Sequence, residues 1–262
     1  MTLPTLGIDA YQLTTLLTHA DEGRLDHQVT MAFFFRRMPK ERRFVLFSGL
    51  RRILEHAEQM AIDGAELDNL QAHDSIGKAL RDRPEVVKRL RDLKGFIGDM
   101  DAMPEGSLAF AGKASRTDGS PLEVNGAPLS IYTPLMQVRT DLLRAKLIET
   151  PWLGFINHLS MVASKAARVV EAARGKPVLE FGARRTHSAA AVDASYAAWL
   201  AGCAATSNVA ALRRWGVPIS GTMDHFFVQA TEQIGEHWPE SERAAFAQFY
   251  RAFPTNSIML VD

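Results

Sequence analysis

Residues 177–185 read PVLEFGARR, and this stretch decides how the second half of the chain is interpreted. Its apolar beginning, with Val178 and Leu179, is typical of a buried strand, and Gly182 ends that strand. Helical and β-prone segments then alternate as far as SIMLVD (257–262). Alternation of helices with short apolar strands is typical of a parallel sheet or barrel. The sequence therefore predicts an α/β fold with functional side chains at the carboxyl ends of its strands.

The residues before this stretch have a different pattern. They contain, in order, a predicted helix at 10–20, a predicted strand at 29–39, a predicted helix at 44–59 and further predicted helices between 62 and 103. From 105 to 140 the segments are short, β-prone and interrupted by Gly and Pro, which predicts a small antiparallel sheet. Asp141 to Arg174 then has an almost continuous helical pattern, with Pro151 at an internal boundary or kink.

We therefore expect two parts. Residues 1–140 are predicted to form an N-terminal mixed α+β domain with a small antiparallel sheet. Residues 141–262 are predicted to form a helical connection and the first strands of an irregular, incomplete α/β barrel. The last six residues read as a strand that ends at Asp262, so we expect the fold to continue beyond it.

Composition limits the classes of partner. The chain has 262 residues, 30 basic and 30 acidic, so its formal net charge is zero and neither nucleic acid nor a membrane is expected as partner. The single cysteine, Cys203, excludes an intrachain disulfide framework and a CxxC metal pair. Without a signal-peptide pattern, or an apolar run near the ~20 residues that cross a bilayer, we expect a cytoplasmic protein.

Several residues at predicted strand ends suit a phosphorylated ligand. Arg184 and Arg185 follow a glycine, and their guanidinium donors match phosphate oxygens in pairs; pairing with carboxylates at a domain interface is the less favoured alternative. Ser207 begins a predicted helix, whose free amides favour anions. Arg36 belongs to an early basic stretch (36–52) that suits phosphate or is simply a solvated basic face.

Two further side chains have both a chemical and a structural interpretation. His225 lies in SGTMDHFFVQA (220–230), where imidazole serves as a base or a transient phosphoryl acceptor, or merely caps a strand–helix turn. Thr222 and Asp224 are candidates to fix its tautomer. Tyr11 lies on the polar side of the first helix, where it stacks on a flat ligand or packs in an interface.

Taken together, these segments resemble the nicotinate phosphoribosyltransferase family, the type II phosphoribosyltransferases. The resemblance covers nearly the whole chain in the expected order, and it is carried by IDAYQLT (8–14), FFFRRMP (33–39), EGSLAF (105–110), LIET (147–150), ASKAARVVEAARGKPVLEFGARR (163–185), ATSNVAALRRWGVPISGTMDHFFVQA (205–230) and IMLVD (258–262).

The resemblance implies a reaction and a set of roles. Nicotinate is joined to phosphoribosyl pyrophosphate to give nicotinate mononucleotide and pyrophosphate in NAD salvage, with ATP hydrolysis through a phosphohistidine and with Mg²⁺. His225 matches the phosphorylated histidine, and Thr222 matches a nicotinate-contacting threonine. Phe181 and Arg184 match positions that line the base and phosphate pocket. Tyr11 matches a tyrosine donated across the interface of a homodimer with shared active sites.

The chain also departs from the family pattern. Asp224 replaces a small residue, and we hypothesise that it raises the basicity of His225 or repels the phosphoryl donor. His187 stands where an amide side chain is usual. The family's later half is missing, so the alternative is a truncated or degenerate, non-catalytic paralogue that acts as a pyridine-binding or regulatory subunit. A transferase for nicotinamide or another pyridine acid is a further alternative.

Overall fold

The structure is a computed structural model and describes residues 4–38, 41–231 and 240–261. Its helices are α1 (Ala10–Asp21), α2 (Leu50–Gln59), α3 (Gly64–Ala72), α4 (Ile76–Arg81), α5 (Pro84–Arg91), α6 (Leu142–Ala172), α7 (Ser188–Leu200), α8 (Val209–Trp215), α9 (His225–Thr231) and α10 (Glu240–Ala252). Its strands are β1 (Gln28–Phe33), β2 (Val45–Leu46), β3 (Gly98–Ala102), β4 (Leu108–Ala109), β5 (Ala111–Lys113), β6 (Glu123–Val124), β7 (Ala127–Pro128), β8 (Ser130–Tyr132), β9 (Met136–Asp141), β10 (Leu179–Glu180) and β11 (Ala205–Thr206).

The main sheet of the first half has the order β1–β9–β3, and both pairings are antiparallel. The central strand β9 alternates buried and exposed side chains, with Met136, Val138 and Thr140 on the core side, as expected for a strand with one buried face. The predicted strand at 29–39 is confirmed as β1, although it ends at Phe33. The prediction of helix as far as 103 is wrong at its end, because the largely exposed segment 98–102 is the edge strand β3.

The antiparallel structure predicted for 105–140 is confirmed, but not as one sheet, since β9 belongs to the main sheet and the other strands form separate two-stranded pairs. Strand β5 pairs with β8, β6 pairs with β7, and β4 pairs with the earlier strand β2. The pairing of β2 also shortens the helix predicted at 44–59. That helix begins at Leu50, after Gly49, whose φ of 118° lies in the left-handed region that favours glycine.

The hydrophobic core of the first half lies between the main sheet and helices α1, α2 and α6. Trp152, in the middle of α6, is fully buried and its ring lies 5.3 Å from that of Phe96 and 6.2 Å from that of Phe33. The indole Nε1–H donates to Nδ1 of His56 at 3.1 Å. Pro151 lies inside α6 without ending it, so burial of the helix outweighs the backbone hydrogen bond that proline removes.

In the second half, β10 and β11 form a parallel pair, and Thr206 makes a parallel bridge to Ile219. Of the strands predicted for 217–222 and 257–262, the first is observed only in part and the second is not observed in the described residues. The first is reduced to that single bridge. Residues 257–261 have no strand pairing among the described residues, and Asp262 lies outside them. The mixed α/β class with small antiparallel sheets is confirmed, whereas the division into domains at residue 140 stays a prediction.

A carboxylate joins the two halves. Glu105, in the turn before β4, accepts a hydrogen bond from the Gly49 amide at 2.6 Å and from the Tyr196 hydroxyl at 2.8 Å. Beside it, the Arg51 guanidinium lies 5.4 Å from the Tyr196 ring centroid and 5.2 Å from that of Trp215. Burial, with the nearby Glu105 carboxylate, raises the pKa of Tyr196 to about 12, so the hydroxyl stays a donor at neutral pH.

We predict that Tyr196→Phe lowers the free energy of unfolding by about 1–3 kcal/mol, because it leaves one oxygen of Glu105 without its donor. Denaturant unfolding followed by circular dichroism measures this change. Tyr250→Phe is the matched control, since Tyr250 is 55% exposed and its hydroxyl makes no hydrogen bond within the described residues. Equal stability of the two variants would remove Glu105–Tyr196 as a link between the halves.

We also predict an acid-sensitive stability that depends on His56. Burial, with a smaller contribution from the charge of Arg52, lowers the pKa of this histidine from 6.5 to about 4. Since the folded pKa is depressed, the contribution is complete above pH 6.5 and is lost as the pH falls from 6.5 to about 4. The slope is at most about 1.4 kcal/mol per pH unit.

Unfolding free energies measured between pH 4 and pH 7.5 test this. The wild-type protein should lose stability across the window, and His56→Gln, which cannot titrate, should lose less. His27→Gln, at an exposed position, should keep the wild-type slope. A His56→Gln profile parallel to that of the wild type would contradict the assignment.

Candidate active site

The carboxyl ends of three parallel segments lie side by side in the second half of the chain. Glu180 is in register with Thr206, and Thr206 bridges to Ile219. Backbone hydrogen bonds continue the alignment, from Ser207 to the Glu180 carbonyl at 3.0 Å and from Ser220 to the Thr206 carbonyl at 3.0 Å. The three segments that follow, 181–185, 207–208 and 221–225, therefore leave from the same edge, where ligands bind in α/β sheets.

The first of these segments is a short loop that carries two arginines; we call residues 181–185 the arginine loop. It contains one 3₁₀ turn, Gly182–Arg184, and the Arg185 amide donates to the Gly182 carbonyl at 2.8 Å. Arg184 and Arg185 are both exposed, and within the described residues neither guanidinium forms a hydrogen bond or an ion pair. Phe181 is 48% exposed beside them. The carboxylate pairing considered from the sequence is thus not seen in the described part of the chain.

A polar cluster that the sequence analysis did not identify lies under this loop. The Glu180 carboxylate accepts hydrogen bonds from Ser195 Oγ at 2.9 Å, from Thr206 Oγ1 at 2.7 Å and from the Gly182 amide. The sequence contains an indication of this cluster, because Glu180 lies in an otherwise apolar strand and a carboxylate there is unusual unless it is paired. The cluster connects β10, β11 and α7.

The second segment contains Ser207, which is exposed. Its neighbour Asn208 caps α8 through the Ala210 amide at 3.2 Å, and its own amide donates to Thr206 Oγ1 at 3.1 Å. The side-chain cap occupies a first-turn amide that an anion would otherwise use, and α8 has only seven residues. The anion-binding role of Ser207 stays a prediction.

The third segment ends at His225, the first residue of α9, and this residue is exposed. Nothing lies within 4 Å of the position that a Cβ on Gly221 would occupy, so the glycine leaves open space before the histidine. The Asp224 carboxylate accepts from the Phe227 amide at 2.6 Å and thus caps α9. Thr222 Oγ1 donates to the Met223 carbonyl at 2.7 Å and is partly buried.

Two predicted site residues lie in the first half of the chain. Tyr11 is in the first turn of α1, 55% exposed, on the side away from the buried residues Leu13 and Leu16. Arg36 is exposed and lines a cavity of about 390 Å³ together with Phe34 and Asn157. Among the described residues, no side-chain hydrogen bond, ion pair or ring contact joins Tyr11 or Arg36 to the edge that carries the arginine loop.

Further features of the described residues concern metal binding, thiol chemistry and the crossing of membranes. The residues that the structure describes contain no group of three or more His, Cys, Asp or Glu side chains that could hold a metal ion. Cys203 is buried, and burial raises the pKa of its thiol, which disfavours the nucleophilic thiolate. No helix within the described ranges is long and apolar enough to cross a membrane.

Comparison with known proteins gives consistent results. Residues 6–157 match the family model described as nicotinate phosphoribosyltransferase N-terminal domain, and residues 177–262 match the nicotinate phosphoribosyltransferase family model. A nicotinate phosphoribosyltransferase of Mycobacterium tuberculosis is 37% identical over 254 residues, which is 97% of this chain and 50% of that protein. One of Bacillus subtilis is 33% identical over 227 residues, which is 86% of this chain and 41% of that protein.

Solved structures agree with these matches. Human nicotinic acid phosphoribosyltransferase superposes with a TM-score of 0.75 and 28% identity, over 95% of this chain and 53% of that one. A nicotinate-nucleotide pyrophosphorylase of Pyrococcus furiosus, with a TM-score of 0.66 and 20% identity over 97% of this chain and 49% of that one, shares the fold. The chain spans about half the length of the curated relatives that it matches most fully. With both family models matched along it, this chain belongs to the nicotinate phosphoribosyltransferase family.

Proposed function

We propose that this chain supplies one half of a nicotinate phosphoribosyltransferase site, which forms nicotinate mononucleotide from nicotinate and phosphoribosyl pyrophosphate during NAD biosynthesis. The observation that carries the proposal is the common edge of three parallel segments, from which the arginine loop and the segment leading to His225 both depart. Family membership adds the reaction, since the relatives bear that activity in their names.

The arginine loop is assigned to the phosphates of phosphoribosyl pyrophosphate. Arg184 and Arg185 keep their charge at any physiological pH, and planar guanidinium groups pair with phosphate oxygens through two parallel hydrogen bonds. Because neither has a carboxylate partner within the described ranges, binding phosphate breaks no existing ion pair of theirs. The exposed ring of Phe181 lies next to them in the chain and provides a flat apolar surface for the pyridine ring.

His225 is assigned to ATP coupling. An imidazole nitrogen attacks the γ-phosphorus of ATP, the bond to the β-phosphate oxygen breaks, ADP leaves and the ring proton is lost to solvent. Hydrolysis of the N–P bond by water then restores the histidine. The exposure of this residue at the start of α9 admits a nucleotide, and Thr222, in the preceding turn, is assigned to nicotinate.

Mg²⁺ is proposed as a cofactor that is carried mainly by phosphate oxygens. Mg²⁺ commonly binds through substrate phosphates and water, with one or two carboxylates at most. The described residues offer no acidic cluster for it, so we assign it no ligand in this chain.

We further propose a homodimer in which Tyr11 contributes to the site of the partner subunit. The support is its exposure in the first turn of α1 and the absence, among described residues, of a contact to the arginine loop of its own chain. A cytoplasmic location is proposed as well, in agreement with a single, free cysteine.

The first test of function is direct. The protein, incubated with nicotinate, phosphoribosyl pyrophosphate, ATP and Mg²⁺, should form nicotinate mononucleotide, which chromatography detects. With γ-labelled ATP, label that is acid-labile and base-stable should appear on His225. His225→Ala should abolish the label and the ATP stimulation, whereas His73→Ala, at another exposed histidine, should leave both unchanged.

The outcomes separate the candidate functions. Product formation without label would remove His225 as the phosphoryl acceptor. Binding of nicotinate without turnover would favour the pyridine-binding or regulatory subunit. Turnover of nicotinamide in preference to nicotinate would change the substrate and leave the reaction type unaltered.

A second test concerns Tyr11. We predict that Tyr11→Ala weakens nicotinate binding by about 1–3 kcal/mol, as expected for a lost aromatic contact, and that Tyr11→Phe retains most of the affinity. Isothermal titration calorimetry measures both values, with Tyr250→Ala as the exposed control. Unchanged affinity in Tyr11→Ala would assign this residue to interface packing.

A further inference from the structure

The Glu180 carboxylate joins strand β10 to helix α7 and strand β11. Its Oε2 accepts from Ser195 Oγ of α7 at 2.9 Å and from Thr206 Oγ1 of β11 at 2.7 Å. Its Oε1 accepts from the amide of Gly182, at the start of the arginine loop. An ionised carboxylate has about four acceptor sites and no donor, so it has room for all three bonds. The Ser195 hydroxyl, which has one proton, lies equally close to the Ala191 carbonyl at 2.9 Å.

The space around Gly182 reflects the same contact. A Cβ at this position would lie 2.7 Å from Glu180 Oε1, which is closer than real Cβ contacts. The backbone itself does not require glycine here, because Gly182 is not among the glycines with positive φ. A side chain at residue 182 would therefore displace the end of the flexible Glu180 side chain, so the position of the carboxylate and the glycine are coupled and the two residues form one structural unit.

This unit determines where the loop begins. The 3₁₀ turn Gly182–Arg184 starts at the amide that Glu180 holds, and the Arg185 amide closes the turn on the Gly182 carbonyl at 2.8 Å. Within the described ranges, the guanidinium groups of Arg184 and Arg185 form no hydrogen bond or ion pair that would hold them in place. The direction of Arg184 and Arg185 thus depends on a hydrogen bond one turn away.

We propose that Glu180 is a positioning residue, which aims the arginine loop at the phosphates of phosphoribosyl pyrophosphate. The inference deepens the proposed function and rests on it for the identity of the ligand. Glu180 acts through the loop and makes no contact with substrate. A displacement of about 1 Å in a positioned group is enough to cost about 100-fold in rate, so a loss of this hydrogen bond should be measurable.

Equilibrium binding of phosphoribosyl pyrophosphate, measured by calorimetry, is the test. Glu180→Ala should weaken its affinity about tenfold or more and weaken nicotinate affinity by a smaller factor, because Phe181 is the one residue of the loop assigned to the pyridine ring. Glu180→Gln should recover most of the loss, because its carbonyl oxygen still accepts from the Gly182 amide. Gly182→Ala, which displaces the carboxylate without removing it, should weaken the same ligand, and adding it to Glu180→Ala should have no further effect.

Glu171→Ala is the matched control, since Glu171 is an exposed glutamate near the end of α6. It should bind both ligands as the wild type does. Unchanged affinity in Glu180→Ala, or an equal loss for nicotinate and for phosphoribosyl pyrophosphate, would overturn the proposal. If Glu180→Ala does not fold, Gly182→Ala alone decides between these results.

Amide hydrogen exchange separates this inference from the proposed function. Glu180→Ala should accelerate exchange in a peptide that spans residues 181–186 and not in one from the middle of α6. Unchanged exchange at 181–186 would overturn the positioning role, whatever the ligand. A wild-type protein that binds no phosphoribosyl pyrophosphate would overturn the proposed function, and the exchange result would still decide whether Glu180 holds the loop.

Discussion

Burial of helix α6 on several sides is the constraint on which the other packing depends. Trp152 fills the core of the first half, while small residues further along the helix let other segments approach it closely. The hydroxyl oxygens of Ser164 and Ser160 accept from the backbone amides of Leu46 at 2.8 Å and Ser48 at 3.0 Å. The backbone amides of Leu46, in the short strand β2, and of Ser48, just after it, therefore find their acceptors on side chains of α6. These bonds fix the position from which α2 begins.

Helix α7 connects the packing around α6 to the candidate site. It packs on α6, and two consecutive residues of α7 bond to different parts of the protein. Ser195 donates to Glu180 at 2.9 Å, whereas Tyr196 donates to Glu105 at 2.8 Å. The carboxylate under the arginine loop and the carboxylate that joins the halves are thus held by adjacent positions of one helix. A shift of α7 relative to the first half would move both, so the geometry of the site depends on packing outside it.

The sequence correctly predicted those secondary-structure elements whose residue patterns are contained within the element itself. Strand β1, helix α6 and the turn at 116–120 have clear β-branched, helical or Asp-Gly patterns, and the structure has them. Strands β2 and β3 were missed because they exist through their pairing with distant residues, and such pairing overrides local propensity. At the candidate site, the arginine loop and His225 were predicted from residue type, and their roles stay predictions. Glu180 was not, because its role comes from hydroxyls 15 and 26 residues away.

Two acidic residues close to a proposed phosphate site require a physical account. Both carboxylates are engaged by donors, Glu180 by two hydroxyls and an amide, and Asp224 by the Phe227 amide at the start of α9. A carboxylate that caps a helix interacts with the positive end of the helix dipole, which offsets part of its charge. Asp224 therefore has a structural role, since it stabilises the first turn that carries His225. Because the helix dipole offsets part of its charge, Asp224 repels a phosphoryl donor less than a free carboxylate would. The proposed role of His225 as a phosphate acceptor is therefore compatible with Asp224 beside it.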